Sequence, residues 1–437
     1  MAAPNPSVMQ AVERLGYRVT IGDVAAQAGL NTNLAQQELL ALASDAGGHL
    51  QVAESGEIAY QFPRNFRAVL RNKFFRLRLK DWWAKVWRVL FYLIRISFGI
   101  VLLLSIVLIL VAIAAIVLAL NASRGDNDRD SGYSGGGGFG FLPNLWVGPD
   151  LFWFFSPNPY GHHPQARGRR GEEKSMNFLE SIFSFLFGDG NPNADLEARR
   201  WQTIGSVIRN NGGAIAAEQV APYLNISAQN QADEAYILPV LSRFNGQPEV
   251  SPQGEIVYRF PELQSTASRW QPRAVAAYLR ELPWKFSQAT SGQKLMAIGL
   301  GSVNLIGALV LGSLLRNSVA IAQAGAFITF IQSIFVLLLA YGIAFLTIPL
   351  LRYFWIQWRN RKVADRNQKR QEWAIQLNQA DPNLQQKLAY ARQFAAETIV
   401  SRDDLAYTSE ESLLEQEANR SAAIDAEWQR RLDQSGS

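Results

Sequence analysis

Three stretches of the chain are apolar for long enough to cross a bilayer, which takes about 20 residues. The first, Ile96 to Leu120, has no charged residue, and 18 of its 25 residues are Ile, Val, Leu or Phe. At about 0.3 to 0.6 kcal/mol for each such side chain, its insertion is favourable by roughly 5 to 11 kcal/mol. The others are Leu295 to Leu315 and, beyond the single charge of Arg316, an apolar stretch within residues 319–351. The short connection between these two predicts an antiparallel helical hairpin. Asn177 to Phe187 is apolar on one helical face, where Phe178, Leu179, Ile182, Phe183 and Leu186 fall together. That pattern predicts a helix over residues 175–188, lying in the membrane interface or docked on a domain.

Elsewhere the pattern repeats. Gly56-Glu-Ile-Ala-Tyr-Gln-Phe-Pro63 recurs as Gly254-Glu-Ile-Val-Tyr-Arg-Phe-Pro261 with six of eight positions identical. Upstream, Val24-Ala25, Leu30 and Glu38 match Val220-Ala221, Ile226 and Glu234, so residues 7–63 and 200–261 read as two copies of one unit. In the first copy a helix over Ser7 to Leu15 is followed by a second, which starts at the capping box Thr20-Ile-Gly-Asp23 and ends at Gly29. Asn31 or Thr32 caps a third, whose Leu34, Leu39, Leu40 and Leu42 are expected to face inward. Alternation of period two then predicts strands at His49 to Val52 and Glu57 to Phe62, joined through Glu54-Ser-Gly56. Three helices and a hairpin of this length resemble the winged helix-turn-helix fold.

The expected fold is therefore mainly α with small β wings. Winged-helix-like domains occupy 1–63 and 200–262, about three transmembrane helices occupy 96–120, 295–315 and 319–351, and a charged helical tail covers 352–437. In that tail Arg352 to Ala380 is expected to continue as a helix, Asp381-Pro382 to start another and Thr408-Ser-Glu-Glu411 to cap a third. Residues 121–174 are rich in glycine and polar side chains and read as a flexible linker, interrupted by the aromatic island Phe139 to Phe155.

Charge changes this picture at the membrane flanks. The net charge of +5 is concentrated: Arg64 to Arg95 holds ten Lys or Arg against Asp81 alone, and Arg352 to Arg370 holds seven against Asp365 alone. Both clusters are interleaved with aromatic residues, the composition of a bilayer–water interface that attracts anionic lipid. Residues 64–95 accordingly read as a membrane-interface helix with Arg76, Arg78, Lys80, Trp82, Trp83, Trp87 and Arg88 as anchors; Arg352, Trp355, Trp358 and Arg359 anchor the other flank. The positive-inside rule places both flanks in the cytoplasm, which requires an even number of crossings, whereas three are counted. Re-entry of Phe139 to Phe155, a first stretch that does not cross as one span, or one basic flank outside would each reconcile the two. The N-terminus has no signal-peptide pattern, and both repeated domains are expected on the cytoplasmic face.

Candidate chemistry is mostly excluded. The absence of cysteine rules out disulfides, thiolate metal sites and cysteine nucleophiles. His162-His163 has no neighbouring cysteine or carboxylate and makes a poor metal site. No catalytic triad, phosphate-cradling glycine loop or acid–base carboxylate pair stands in a recognisable context, so neither an enzyme, a cofactor nor a metal is expected. Binding of nucleic acid is disfavoured as well, because phosphate contacts need Lys and Arg. Residues 7–63 carry Arg14 and Arg18 against six carboxylates, a net of −4, and residues 200–261 carry a net of −1.

Asn177-Phe-Leu-Glu-Ser-Ile-Phe-Ser-Phe-Leu-Phe-Gly-Asp-Gly-Asn-Pro-Asn193, with Gly212-Gly213 and Ala217-Glu-Gln-Val-Ala-Pro-Tyr223, resembles an uncharacterised family of membrane proteins in cyanobacteria and chloroplasts, over most of the chain. Plant members have carried an iron-sulfur cluster biosynthesis label; without cysteine, this chain has no thiolate to offer a cluster. The resemblance implies a thylakoid or plasma membrane location. The expected function is an integral membrane scaffold or assembly factor whose partners are membrane lipids and other membrane or membrane-associated proteins. The alternative is a membrane-tethered DNA-binding transcriptional regulator.

Overall fold

The structure, a computed structural model, describes residues 4–73, 75–124, 176–226, 234–316, 325–401 and 405–435. The linker, Phe139 to Phe155 and His162-His163 lie outside the described residues. In chain order the elements are α1 (Pro6–Arg14), β1 (Arg18–Thr20), α2 (Ile21–Ala28), α3 (Thr32–Ala46), β2 (His49–Ala53), β3 (Ile58–Gln61), α4 (Phe66–Lys73), α5 (Phe75–Arg124), α6 (Phe178–Phe187) and α7 (Leu196–Asn210). There follow β4 (Ala214–Ile215), α8 (Leu238–Phe244), β5 (Gln247–Val250), β6 (Ile256–Arg259), α9 (Pro261–Gln264), β7 (Ser265–Thr266), α10 (Ser291–Leu314), α11 (Gly325–Asn378), α12 (Pro382–Gln393), β8 (Thr398–Ile399), β9 (Leu405–Thr408) and α13 (Leu413–Ser435). They form two compact units, one of Met1–Trp83, Asn193–Leu282 and Lys362–Ser437, the other of Ala84–Pro192 and Pro283–Arg361.

The first unit contains both repeated segments. In the first, Thr20 Oγ1 accepts the Asp23 N–H at 3.1 Å while Asp23 Oδ2 accepts the Thr20 N–H at 2.9 Å, so α2 starts with two of its orphan donors satisfied. It stops at Gly29, whose φ of 66° only glycine adopts without strain. The three strands order as β1-β3-β2, with Tyr60 opposite both Val19 and Leu50. The second segment orders as β4-β6-β5, with Tyr258 opposite Ile215 and Pro248. One element differs. Where α2 would recur, the chain makes two 3-10 turns, Ala217–Gln219 and Ala221–Tyr223, because Pro222 has no N–H to give an α-helix.

Two expectations for this unit need correction. Leu39 and Leu42 are buried with Ala35, Ala43 and Ala46, but Leu34 and Leu40 are 40 % and 58 % exposed. A helix turns about 100° per residue, which carries both outside the inward stripe. The tail is also not purely helical. Thr408 ends a strand instead of capping a helix: β9 pairs antiparallel with β2, and β8 pairs parallel with β7. Sheet edges supply backbone partners that a tail sequence cannot announce. The last helix is capped by Ser412, whose Oγ accepts the Glu415 N–H at 3.3 Å.

Among the described residues three helices are long and apolar enough to cross a membrane, Trp82–Leu120, Ser291–Leu314 and Ala326–Asn378, and the second unit is built from the parts of them between Ala84 and Arg361. The interface helix expected over 64–95 divides: its start is α4, Phe66–Lys73, and the remainder belongs to α5, which runs on through the first span. The third apolar stretch, from Gly325 on, lies within α11, which continues past Pro349 to Asn378. Glycines set their spacing. A Cβ at Gly301 would lie 2.5 Å from Phe345, and one at Gly312 would lie 2.5 Å from Phe335, so α10 and α11 run antiparallel at close range. Gly307 meets Ile109 of α5, and Gly99 meets Leu179 of α6. Helix α6 buries Ile182, Phe185 and Leu186 against Leu102, Ala297 and Phe345. The Ser105 hydroxyl donates to Asn304 Oδ1 at 2.8 Å inside this bundle, where Asn304 is fully buried.

Candidate interaction surface

The two repeated segments share one core. Helix α2 lies along α7 so closely that a Cβ at Gly205 would come 2.8 Å from the Ala26 Cα, and one at Gly22 would come 1.8 Å from the Glu262 carbonyl oxygen. An ion pair closes this junction: Arg209 Nη1 donates to Asp23 Oδ1 at 2.6 Å, and both side chains are nearly inaccessible. Asp23 further accepts the Ala267 N–H at 2.9 Å and the Thr266 hydroxyl at 3.0 Å, so every lone-pair direction of the cap residue is used. Arg209 lies over the Trp270 ring at 4.3 Å. None of Arg209, Thr266 and Trp270 was expected to matter. The signal available was an arginine at 209 on the apolar side of its helix, next to Ile208 and Val207, which are buried.

The outward side of this body carries no cation where α3 faces solvent, and its carboxylates Glu38 and Asp45 are only half-buried. Asn33, Leu34, Gln36, Gln37, Leu40 and Ala41 are exposed, and α3 contains no Lys or Arg. Such a surface can bury apolar area and exchange amide hydrogen bonds, but it cannot neutralise phosphates.

Two further polar clusters tie the tail to the second segment. Lys387 Nζ donates to Glu234 Oε1 at 2.6 Å and Glu218 Oε1 at 2.9 Å. Burial disfavours the charge on Lys387, but the two carboxylates outweigh it and hold its pKa above the usual lysine value. Burial likewise opposes ionisation of Glu281, yet hydrogen bonds and charge from Arg366 and Arg370 keep its pKa below the usual carboxylate value. Among the described residues no group of three His, Asp or Glu could hold a metal ion.

The predicted anchors divide. Arg76, Arg78 and Lys80 belong to helical backbone of α5, and their side chains lie outside the described residues. Trp82, Trp83, Trp87, Arg88, Trp355 and Trp358 are exposed. Arg352 is turned to protein instead: its guanidinium donates to the Ser184 carbonyl at 3.3 Å and lies 4.4 Å over the Phe286 ring. Arg359 stacks 4.1 Å over Trp284 and 5.0 Å over Trp355.

No protein-family model matches the chain, and no solved structure matches it. A match does exist among curated proteins: the chain is 40 % identical, over 97 % of its own length and 81 % of the relative's, to the Uncharacterized protein At5g03900, chloroplastic, of Arabidopsis thaliana. That extent of identity spans both units, so this chain belongs to the family of the Arabidopsis chloroplast protein.

Proposed function

We propose that the protein is a membrane-anchored scaffold or assembly factor, in which two winged-helix-like domains fused into one body present a protein-docking face. The exposed, cation-free outer face of α3 with Leu34 and Leu40 carries this reading. In a winged helix the third helix is the recognition element, and here it offers apolar and amide groups where a DNA reader needs guanidinium and ammonium. The strand order β1-β3-β2 and the matching register of β4-β6-β5 support the winged-helix assignment. Three long apolar helices and a chloroplast relative support a multi-pass protein of the thylakoid membrane. The Asp23–Arg209 pair supports placement of both domains on one side of that membrane.

The test is mild-detergent affinity purification from native membranes, with and without nuclease, comparing the natural chain with the variant Leu34→Lys/Leu40→Lys. A discrete set of co-purifying membrane proteins that survives nuclease and is lost from the variant is the expected result. Nuclease-sensitive recovery of specific DNA would replace this reading with the tethered regulator. Single cysteines at Ser55 and Gln253 test the shared side, because an impermeant reagent should label both or neither.

A further inference from the structure

We propose that the first unit carries a binding cleft for a phosphate-class oxyanion, a property independent of the docking reading. A cavity of about 330 Å3 is lined by Arg14 and Arg18 from the first segment and by Arg269 and Arg273 from the chain after β7, with Asp23 and Trp270 among its walls. Four arginines thus line the cavity beside one carboxylate, which is already committed to Arg209, two backbone N–H groups and a hydroxyl. Arg18 donates to Gln51 Oε1 at 2.8 Å and to the Ala267 and Val400 carbonyls at 2.7 Å, and Arg273 donates to Gln27, which leaves Arg14 and Arg269 to lead the site. Among the described residues no acidic side chain lies within ion-pair distance of Arg14, Arg269 or Arg273. The nearby Glu397 accepts the Trp270 backbone N–H at 2.5 Å.

The arrangement has a positional logic. Trp270 takes Arg209 at 4.3 Å and Arg273 at 5.0 Å from its ring, which keeps a fifth positive group behind the cleft. The ring is thereby engaged with guanidiniums and not open for stacking a nucleobase. The amides at the start of α2 are capped by Thr20 and Asp23, so the arginines themselves carry the site. Guanidinium forks suit the several oxygens and double charge of a phosphoryl group better than a single carboxylate would use them. The volume suits one small phosphorylated group. Free phosphate compounds and lipid headgroups share this chemistry.

Arg14, Arg269 and Arg273 are exposed, so the cleft is reachable and Arg14→Gln/Arg269→Gln can be made without disturbing the core. The full chain in phosphatidylcholine nanodiscs is titrated calorimetrically with inorganic phosphate at constant ionic strength, with chloride as comparator. Saturable single-site binding is expected, weakened at least about tenfold in the double variant and unchanged in Arg280→Gln, which lies outside the cleft. Doping the discs with phosphatidic acid separates the sources. Weaker apparent phosphate binding in doped discs supports the cleft as a headgroup site, and unaltered binding supports it as a site for a soluble phosphate compound. Equal titrations for the natural chain and the double variant, with unfolding curves confirming both are folded, or no saturation at all, would overturn the proposal.

Discussion

Pro248 stands opposite Tyr258 in the second hairpin as Leu50 stands opposite Tyr60 in the first. The consequence lies on the outer edge. Leu50 exchanges bonds with the tail there, its carbonyl accepting the Ser409 N–H at 2.9 Å and its own N–H donating to Ser409 Oγ at 2.9 Å. Pro248 has no N–H, so the corresponding edge of β5 cannot take up a strand in the same way. One edge is covered by the chain's own tail and the other is blunted by proline, two ways of preventing edge-to-edge association.

Replacing Pro248 with valine restores the missing donor on an exposed edge. We expect Pro248→Val to form concentration-dependent oligomers, read by light scattering after size exclusion at equal detergent. An unchanged mass would mean that β5 is too short to recruit a partner.

The junction between the two segments depends on a buried ion pair whose partners are expensive to leave alone. Asp23→Asn and Arg209→Met should each lower unfolding stability by about 3 to 5 kcal/mol, since each strands a buried polar group. The double variant should lose less than the two singles together. Denaturant unfolding of the three proteins measures this, and single variants within about 1 kcal/mol of the natural chain would contradict it.

Close backbone approach predicts a sharp contrast between glycines. Gly22→Ala should open the contact between α2 and α9, because the added Cβ would sit 1.8 Å from a carbonyl oxygen, whereas Gly292→Ala meets nothing within 4 Å. Thermal melts should fall clearly for the first and stay within error for the second.

Stability should have separate acid and alkaline limbs. The Glu281 pKa is lowered in the fold, so its contribution is complete above the unfolded value near 4.3 and disappears as pH falls through the depressed value. The Lys387 pKa is raised, so its contribution is complete below about 10.4 and disappears as pH rises through the raised value. Burial pushes Tyr223 up to about 12, which adds to the alkaline limb with the same sign. Circular dichroism against pH should therefore show a plateau from about pH 5 to 10. Glu281→Gln should flatten the acid limb and Lys387→Met should make the alkaline limb shallower; limbs of unchanged slope would refute these assignments.

Much of the local structure was legible in the residues because its causes are local. Thr20 and Asp23 cap α2 within one turn, Gly29 ends it, and the hairpin of β2 and β3 follows from alternation and a glycine turn. The long apolar runs likewise announce helices whatever surrounds them. The inward placement of Leu34 and Leu40 was misread because leucine content alone does not say how wide the buried stripe of α3 is.

By itself, then, the sequence determined the helices and hairpin of the first segment, the membrane-length apolar runs, and that two segments share a pattern, since hydrogen-bond capping, side-chain period and transfer free energy act over a few residues; the tail strands β8 and β9 were beyond it. Only the tertiary structure decided that Asp23 meets Arg209 across 186 positions, that β9 covers β2, and that Arg14, Arg18, Arg269 and Arg273 line one cleft. Those relationships join residues far apart in the chain, and their energies exist only once packing has removed water from between them and brought the charges together.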